Sequence, residues 1–468
     1  MQWRLYASFM ERSMLDVLVV EAGPTGLFMA AEVARHGLSC RLIEKALIAS
    51  EKSRALVIQP RTLEIFQHVG MVEPFLKEGR AVKVMHLMSL DEELASLHFS
   101  KLDTAFPFVL SVEQSKTEQI LTQVALSRGV AIERGVEFLG LQETKQGVRV
   151  RCNHTQKGIE EVIEARFVVG CDGAHSAVRK TLQIPFEGKA FPSLFSLADV
   201  KLEWERPPGE FFVFLNPEGI LGAVPMTGEQ RYRFVFPQQN AELTLQEIQE
   251  KMGPHTRVSD PLWMAHFQIH TRLVKTYQSG CVFLAGDAAH VHSPIGGQGM
   301  NSGLQDAFNL GWKLATKDPS VIKTYTIERR SWAKKLLRAT LFATRIIALK
   351  NPLFIAIRNK GIHFLLPRIE KRLISSIAQL TIHYPKSKVV KTGGGMRAPN
   401  VPVGKSDLYT LMRGSTKPHL LLFGIASSSL SPEAVVVPMD HKEAWERYGI
   451  KKPTACLIRP DLYIEAVK

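Results

Sequence analysis

Cysteine is scarce in these 468 residues, and long apolar runs are missing. The five cysteines, Cys40, Cys152, Cys171, Cys281 and Cys456, are odd in number and never spaced C-x-x-C. That argues against both a disulfide framework and a zinc site. No stretch offers the roughly 18 to 20 uninterrupted apolar residues of a membrane span. The first thirteen residues, MQWRLYASFMERS, lack a signal-peptide core, and read as a short extension with Met14 as an alternative start. Internal repeats and low-complexity segments are also lacking. A soluble cytoplasmic protein is expected, with two or three domains at this length. The hydrophobic fraction of 45% and charged fraction of 22% fit an ordinary globular chain.

Acidic residues are sparse in one region. The net charge is +14, and much of the excess lies between Arg329 and Arg372, where Glu370 is almost the only acid. Basic residues recur there at helical spacing among Leu, Ile and Phe, with Pro352 and Pro367 breaking the run. Three readings are open: solvated helices packed on the main body, a peripheral membrane or apolar-substrate surface, and a nucleic-acid face. The first is the commonest origin of such a pattern, and no nucleic-acid partner is expected.

What the chain does contain begins with LDVLVV, an apolar β-branched run typical of a buried parallel strand. A turn follows, then LFMAAEVARHG at helical spacing with Gly37 as its stop, then SCRLIEK, a second strand ending in an acid. In such a β-α-β unit a glycine turn brings backbone N–H groups and a helix N-terminus up to a pyrophosphate, and the acid meets ribose hydroxyls. Gly23 and Gly26 fill the second and third positions of G-x-G-x-x-G, and Glu44 is the acid. The first glycine is replaced by Glu21. Farther on, CVFLAGDAAHVHSPIGGQGMNSGLQDAFNLGWKLA runs from an apolar strand through Gly286-Asp287, Pro294 and the glycines 296, 297 and 299 into an amphipathic helix. Two glycine turns far apart in sequence could hold one extended ligand.

This second segment resembles the flavin fingerprint of the single-component FAD-dependent aromatic hydroxylases of the para-hydroxybenzoate hydroxylase type. VVGCDGAHSAVRK (168–180) resembles their middle fingerprint, SRALVIQPRTLEIFQHVG (53–70) the segment with an arginine beside the FAD pyrophosphate, and SVEQSKTEQIL (111–121) the segment with a flavin-contacting glutamine. The motifs keep the family's order over most of residues 15 to 330. HYPKSKVV, GGGMRAPNVPV, HLLLF and CLIRPDLYIEAVK resemble the thioredoxin-like C-terminal domain of the phenol and polyketide hydroxylase branch, here without C-x-x-C.

The resemblance implies an α/β fold. A Rossmann-like FAD-binding domain spans 14–185, with a substrate-sheet hairpin near 82–100, and resumes over 276–390 with the basic helices. An antiparallel substrate sheet is inserted at 186–275, and a thioredoxin-like domain occupies 391–468. The implied reaction uses FAD, NADPH or NADH, and O2 to hydroxylate a phenolic or polyketide-like aromatic through a flavin hydroperoxide. Arg54 would lie at the pyrophosphate, Gln114 against the flavin, Asp172 in the middle fingerprint near Arg179, and Gly286-Asp287 at the ribityl chain. Gly297, Gly299, Met300 and Asn301 would line the isoalloxazine, and Pro294 would stand where substrate and oxygen meet. A homodimer is the assembly implied, and no metal is expected.

Alternating runs such as EFFVFL, GILGAVPM and RYRFVF suggest the antiparallel sheet. On it, Arg231, Tyr232 and Arg233 are the candidates to touch a phenolate, with His270 and Arg272 behind them; an outward, solvated sheet face is the competing reading. His290 and His292 read as structural. The link from Trp312 to Tyr325 and the C-terminal domain are both shorter than the family's usual.

Glu21 is the departure that matters. A Cβ crowds the tight turn, and a carboxylate about 4 Å from a phosphate charge is repelled by up to about 4 kcal/mol at an effective dielectric of about 20. Weakened rather than abolished FAD binding is expected, since the remaining fingerprints are intact. A same-fold flavoenzyme with another reaction, such as epoxidation or quinone-pathway hydroxylation, and a flavin-poor degenerate homologue remain open alternatives.

Overall fold

The computed structural model describes residues 14–49, 55–89, 92–216, 219–238, 244–252, 256–293, 296–347, 349, 351–425, 434–437 and 441–468. Arg54 and Pro294, expected from the sequence at the pyrophosphate and beside the substrate, therefore lie outside the described residues.

The opening strand Leu15–Val20 enters the interior, its last four residues fully buried. It pairs in parallel with Ile159–Gly170 on one side and Cys40–Glu44 on the other. Val282–Leu284 and Ala131–Arg134 extend this sheet in parallel at either flank. Strands buried on both faces read as continuous apolar runs, which is why LDVLVV and VVG look as they do. Two helices cover one face, Pro24–Arg35 and Gly299–Thr316. They come close because glycine faces a side chain twice: a Cβ on Gly303 would lie 2.3 Å from Thr25 Oγ1, and one on Gly311 would lie 2.6 Å from Glu32 Cγ. In open parallel sheets of this kind ligands bind beyond the carboxyl ends of the strands.

A second sheet is mostly antiparallel. Its order is His290–Val291, Arg257–Val274, Phe186–Glu203, Arg231–Gln238, Gly219–Pro225, Phe211–Asn216, Val84–Ser89 and Glu92–His98. The last two strands form the hairpin from the first half of the chain. Period-two alternation splits its faces. Ala198, Val200, Tyr232, Phe234 and Phe236 turn to one side, where helix Leu245–Met252 covers them with Ile248. On the other side Val224 and Met226 pack against Leu56, from the segment that follows the first β-α-β unit.

Helix Pro352–Ile377 lies across the far edge of this sheet. Its Leu366, Leu373, Ile374 and Ile377 join Val82, Leu97 and Phe99 in a separate apolar cluster.

The C-terminal unit is a mixed four-stranded sheet, Ala434–Val437, His419–Phe423, Thr454–Ile458 and Ile464–Val467, with helix Lys442–Tyr448. It is joined to the body by buried ions. Arg459 donates to both oxygens of Glu328 at 2.7 and 2.9 Å, and Lys313 donates to Glu328 at 2.7 Å. Asn309 bridges Glu328 and Asp461. Around Arg61 a second set forms, with Glu64 at 2.9 Å, the Tyr409 hydroxyl at 3.1 Å and the Leu462 carbonyl at 3.4 Å. Charges this deep persist only when paired and hydrogen-bonded.

Candidate active site

The first glycine turn follows Val20. Glu21 takes a left-handed backbone, φ 80°, the conformation that a glycine adopts without penalty. Gly26 comes so close to it that a Cβ there would lie 1.9 Å from the Glu21 carbonyl oxygen. Gly23 is the N-cap of helix Pro24–Arg35; no side chain caps it, and a Cβ on it would meet nothing within 4 Å. Among the described residues no side chain accepts from the first N–H groups of this helix.

Glu44 closes the other side of the turn. Its carboxylate accepts from Ala22 N at 2.9 Å and Ala46 N at 2.8 Å, which leaves a lone pair on each oxygen. Three carboxylates converge here. Burial, then the neighbouring Glu44, push the Glu21 carboxyl up to about 7, with Asp172 adding to the rise and Lys45, 3.8 Å away, opposing it.

Asp172 is committed to its own loop, accepting from Ser176 Oγ at 2.5 Å and Val178 N at 2.9 Å. Arg179 points away from the first turn. It donates to the carbonyls of Ala288 and Ala174, each at 2.9 Å, and lies 4.1 Å over the Phe186 ring. It therefore ties the middle motif to the 286–290 turn.

That turn begins at Gly286, φ 62°, where a Cβ would press on Thr25 Oγ1 at 2.8 Å. Asp287 is exposed on its rim. Beneath it, Asp306 accepts from Gly286 N at 3.0 Å, from His290 Nε2 at 2.7 Å and from Arg329 Nε at 2.6 Å. Asp306 is fully buried, and Arg329 followed by His290 hold its carboxyl below the usual range against the opposing effect of burial. His292 is pushed down to about 4, chiefly by burial, so it is neutral near pH 7.

Gly297, φ 62°, lies against Val57, which a Cβ would meet at 2.9 Å. Asn301 anchors this loop: its amide donates to the carbonyls of Val57 and Gly297, both at 2.8 Å, and its oxygen accepts from Gln59 N at 2.8 Å. Gly299 and Met300, half-buried, open helix Gly299–Thr316. Gln114 stands across the cleft, accepting from Ala55 N at 3.0 Å and donating to Glu118 at 2.9 Å.

The structure separates the substrate-side candidates. Tyr232 turns into the cluster under helix Leu245–Met252, and its hydroxyl accepts from Gly209 N at 3.2 Å. Arg231, at the strand's end, donates to the Asp260 carbonyl at 2.7 Å and pairs with its carboxylate. Strand alternation puts Arg231 and Arg233 together on the face opposite Tyr232, but Arg231 is spent on Asp260 at the strand's end, while Arg233 reaches the Ala55 carbonyl at 3.5 Å. Arg233 forms a buried two-bonded pair with Asp199 at 2.6 and 2.7 Å, and lies 5.2 Å over Trp263. His270 and Arg272 lie at the opposite end of the long strand Arg257–Val274, where Arg272 approaches Phe186.

Sequence motifs did not single out Asp306, Arg329 or the Asp199–Arg233 pair. A signal for Asp306 was present, since Ser302, Asp306, Asn309 and Lys313 recur at three- and four-residue spacing as buried polar residues along helix Gly299–Thr316. Among the described residues, no group of three or more His, Cys, Asp or Glu is arranged to hold a metal ion. Nor is any helix among them long and apolar enough to cross a membrane.

Residues 14–340 match a family described as FAD binding domain. The chain is 33% identical over 470 residues to an uncharacterized aromatic compound monooxygenase, YhjG, of Bacillus subtilis (strain 168), covering 95% of this chain and 90% of that protein. It is also 33% identical to the 6-methylpretetramide 4-monooxygenase of Streptomyces rimosus, over 81% of this chain and 72% of the other. Among solved structures, the OxyS anhydrotetracycline hydroxylase of Streptomyces rimosus superposes with a TM-score of 0.79 at 30% identity, covering 97% of this chain and 96% of that one. With two glycine turns at one cleft and matches spanning nearly its whole length, the chain belongs to the FAD-dependent aromatic monooxygenases, whose co-substrate is NAD(P)H.

Proposed function

We propose that this monooxygenase hydroxylates a phenolic or polyketide-like aromatic. The observation that carries the reading is the meeting of the 296–301 loop, the Gly286 turn and the Leu56–Ile58 segment beside the apolar face of the antiparallel sheet.

The residues fit FAD at most points. The uncapped helix at Gly23 offers N–H groups to a pyrophosphate, and Glu44 retains acceptor capacity for ribose hydroxyls. Asp287 would bond the ribityl chain. The N–H groups around Gly297, Gly299, Met300 and Asn301 would meet the flavin ring, and the helix they open places positive partial charge there. Gln114, Asp172 and Gly286 shape the cleft between these ends. When bound, FAD supplies the redox chemistry, passing electrons from NAD(P)H to O2 so that one oxygen atom reaches the ring and the other leaves as water.

The chain's own residues bind, orient and exclude water. Leu56, Val224 and Met226 form an apolar wall for a planar substrate. The Asp199–Arg233 pair, already neutralised, holds the sheet beside that wall rather than offering a free cation to a phenolate. Neutral His292 contributes no charge beside the 296–299 loop.

A second reading is favoured by Glu21. Its left-handed backbone and the two acids around it weaken the adenosine end of the site, so the natural chain would hold flavin loosely. The test of both is the visible absorption spectrum of the purified chain and of Glu21→Gly with added FAD, followed by NAD(P)H consumption with a panel of phenols. Flavin bands and phenol-dependent turnover in the natural chain support hydroxylation. Bands in the glycine variant alone support the second reading.

A further inference from the structure

Helix Pro352–Ile377 has two apolar faces, and among the described residues only one of them is packed. Inward, Leu366, Leu373, Ile374 and Ile377 pack on the hairpin side of the antiparallel sheet, and Ile362 reaches Leu94 and Val213. Outward, Leu353, Phe354, Ile357, Phe364, Leu365 and Ile369 are all more than half exposed, Leu353 at 66% and Phe364 at 61%. At 100° per residue these fall on one broad side of the helix, together with exposed Lys360, Arg368, Lys371 and Arg372. The helix before it, Thr324–Ile347, adds Phe342, 66% exposed, near its end.

Exposed apolar clusters of this size mark a contact surface, and the charge identifies what it contacts. From Ser331 to Arg372 the chain has ten Lys and Arg and a single acid, Glu370. That acid is buried and already engaged by Lys101 and His98. On helix Pro352–Ile377 the charges that share the outward face with the apolar side chains are those of Lys360, Arg368, Lys371 and Arg372, all cationic. Two copies meeting through it would bring like charges together, which disfavours self-pairing. A nucleic acid would match the charge but leave the protruding Phe, Leu and Ile unused. An anionic bilayer matches both, since acyl chains receive the apolar side chains while Lys and Arg reach up to the headgroups.

We propose that this face docks the enzyme on the surface of membranes containing anionic phospholipid. The helix lies on the surface and does not cross it. Because the same helix packs on the substrate sheet, docking would bring that sheet close to a store of apolar aromatic molecules.

The test is sedimentation of the full chain with vesicles of phosphatidylcholine, alone or mixed with phosphatidylglycerol. Binding to the mixed vesicles should be at least about tenfold stronger, and should weaken as salt is raised. Phe364→Ser with Leu365→Ser, and separately Lys371→Gln with Arg372→Gln, should each reduce it. All four side chains are exposed, and circular dichroism and melting should confirm unchanged folding. Absence of binding to mixed vesicles, or binding that both folded variants retain, would overturn the proposal. So would a concentration-dependent dimer in analytical centrifugation that either variant abolishes, since the face would then be covered by a second copy.

Discussion

The carbonyl oxygen of Glu21 occupies the space that a side chain on Gly26 would need, with an ideal Cβ only 1.9 Å away. Both neighbours are backbone, so neither can swing aside. Gly26→Ala is expected to cost about 3 kcal/mol or more. It should also lose FAD, read as a lower melting temperature and absent flavin bands.

Glu21 itself sets a pH dependence. Its carboxyl is raised from the ordinary 4.5 to about 7, so the folded chain holds a proton that the unfolded chain releases. That contribution to stability falls as pH rises between these values. FAD, an anion, would raise the carboxyl further and bind with proton uptake. Affinity measured by flavin fluorescence quenching should therefore drop as pH rises through about 7. Glu21→Gln should flatten the profile. Glu21→Gly should flatten it too and add about 1 kcal/mol of stability by relieving the left-handed backbone. A steep profile surviving both substitutions would show that another group is responsible.

Asp306 supports the Gly286 turn from below through three charge-assisted bonds. Asp306→Ala leaves Arg329 buried beside an uncharged gap, a loss of about 3 to 5 kcal/mol. Flavin affinity should fall with it, because the turn loses its anchor. Denaturant titration and equilibrium dialysis with FAD would measure the two effects.

Tyr232→Phe separates the two faces of the antiparallel sheet. The hydroxyl accepts from Gly209 N in a cluster turned away from the flavin motifs, so kcat/KM should be unchanged and stability should fall by about 1 kcal/mol or less. A large loss of turnover without loss of stability would place Tyr232 at the substrate after all.

Arg459→Met strands Asp461 in the interior without its cation and leaves Glu328 with the cation of Lys313 alone. A loss of about 3 to 5 kcal/mol is expected in thermal or denaturant unfolding.

Much of this molecule could be read along the chain. Continuous apolar runs announced the parallel strands, and the glycines at 26, 286 and 297 marked places where backbone must turn or pack closely. Such signals are local, so a single sequence carries them. What escaped was relational. Nothing adjacent to Asp306 points to Arg329, 23 residues on, and nothing near Arg459 points to Glu328. Strand phase, which a one-residue shift reverses, separates Tyr232 from Arg231 and Arg233, and only the distant partners Asp260 and Asp199 tell the two arginines apart. Asn301 was expected at the flavin through its backbone, and its side chain proves to be spent on Val57, Gly297 and Gln59.

The bond from Arg459 to Glu328 spans 131 residues, and this bears on how the protein is made. A ribosome delivers the nucleotide-binding half long before the arginine that neutralises its buried acid. Until then Glu328 has Lys313 and Asn309 for company but lacks the guanidinium that grips both its oxygens. The interior around Glu328 is complete only when the late segment closes over it.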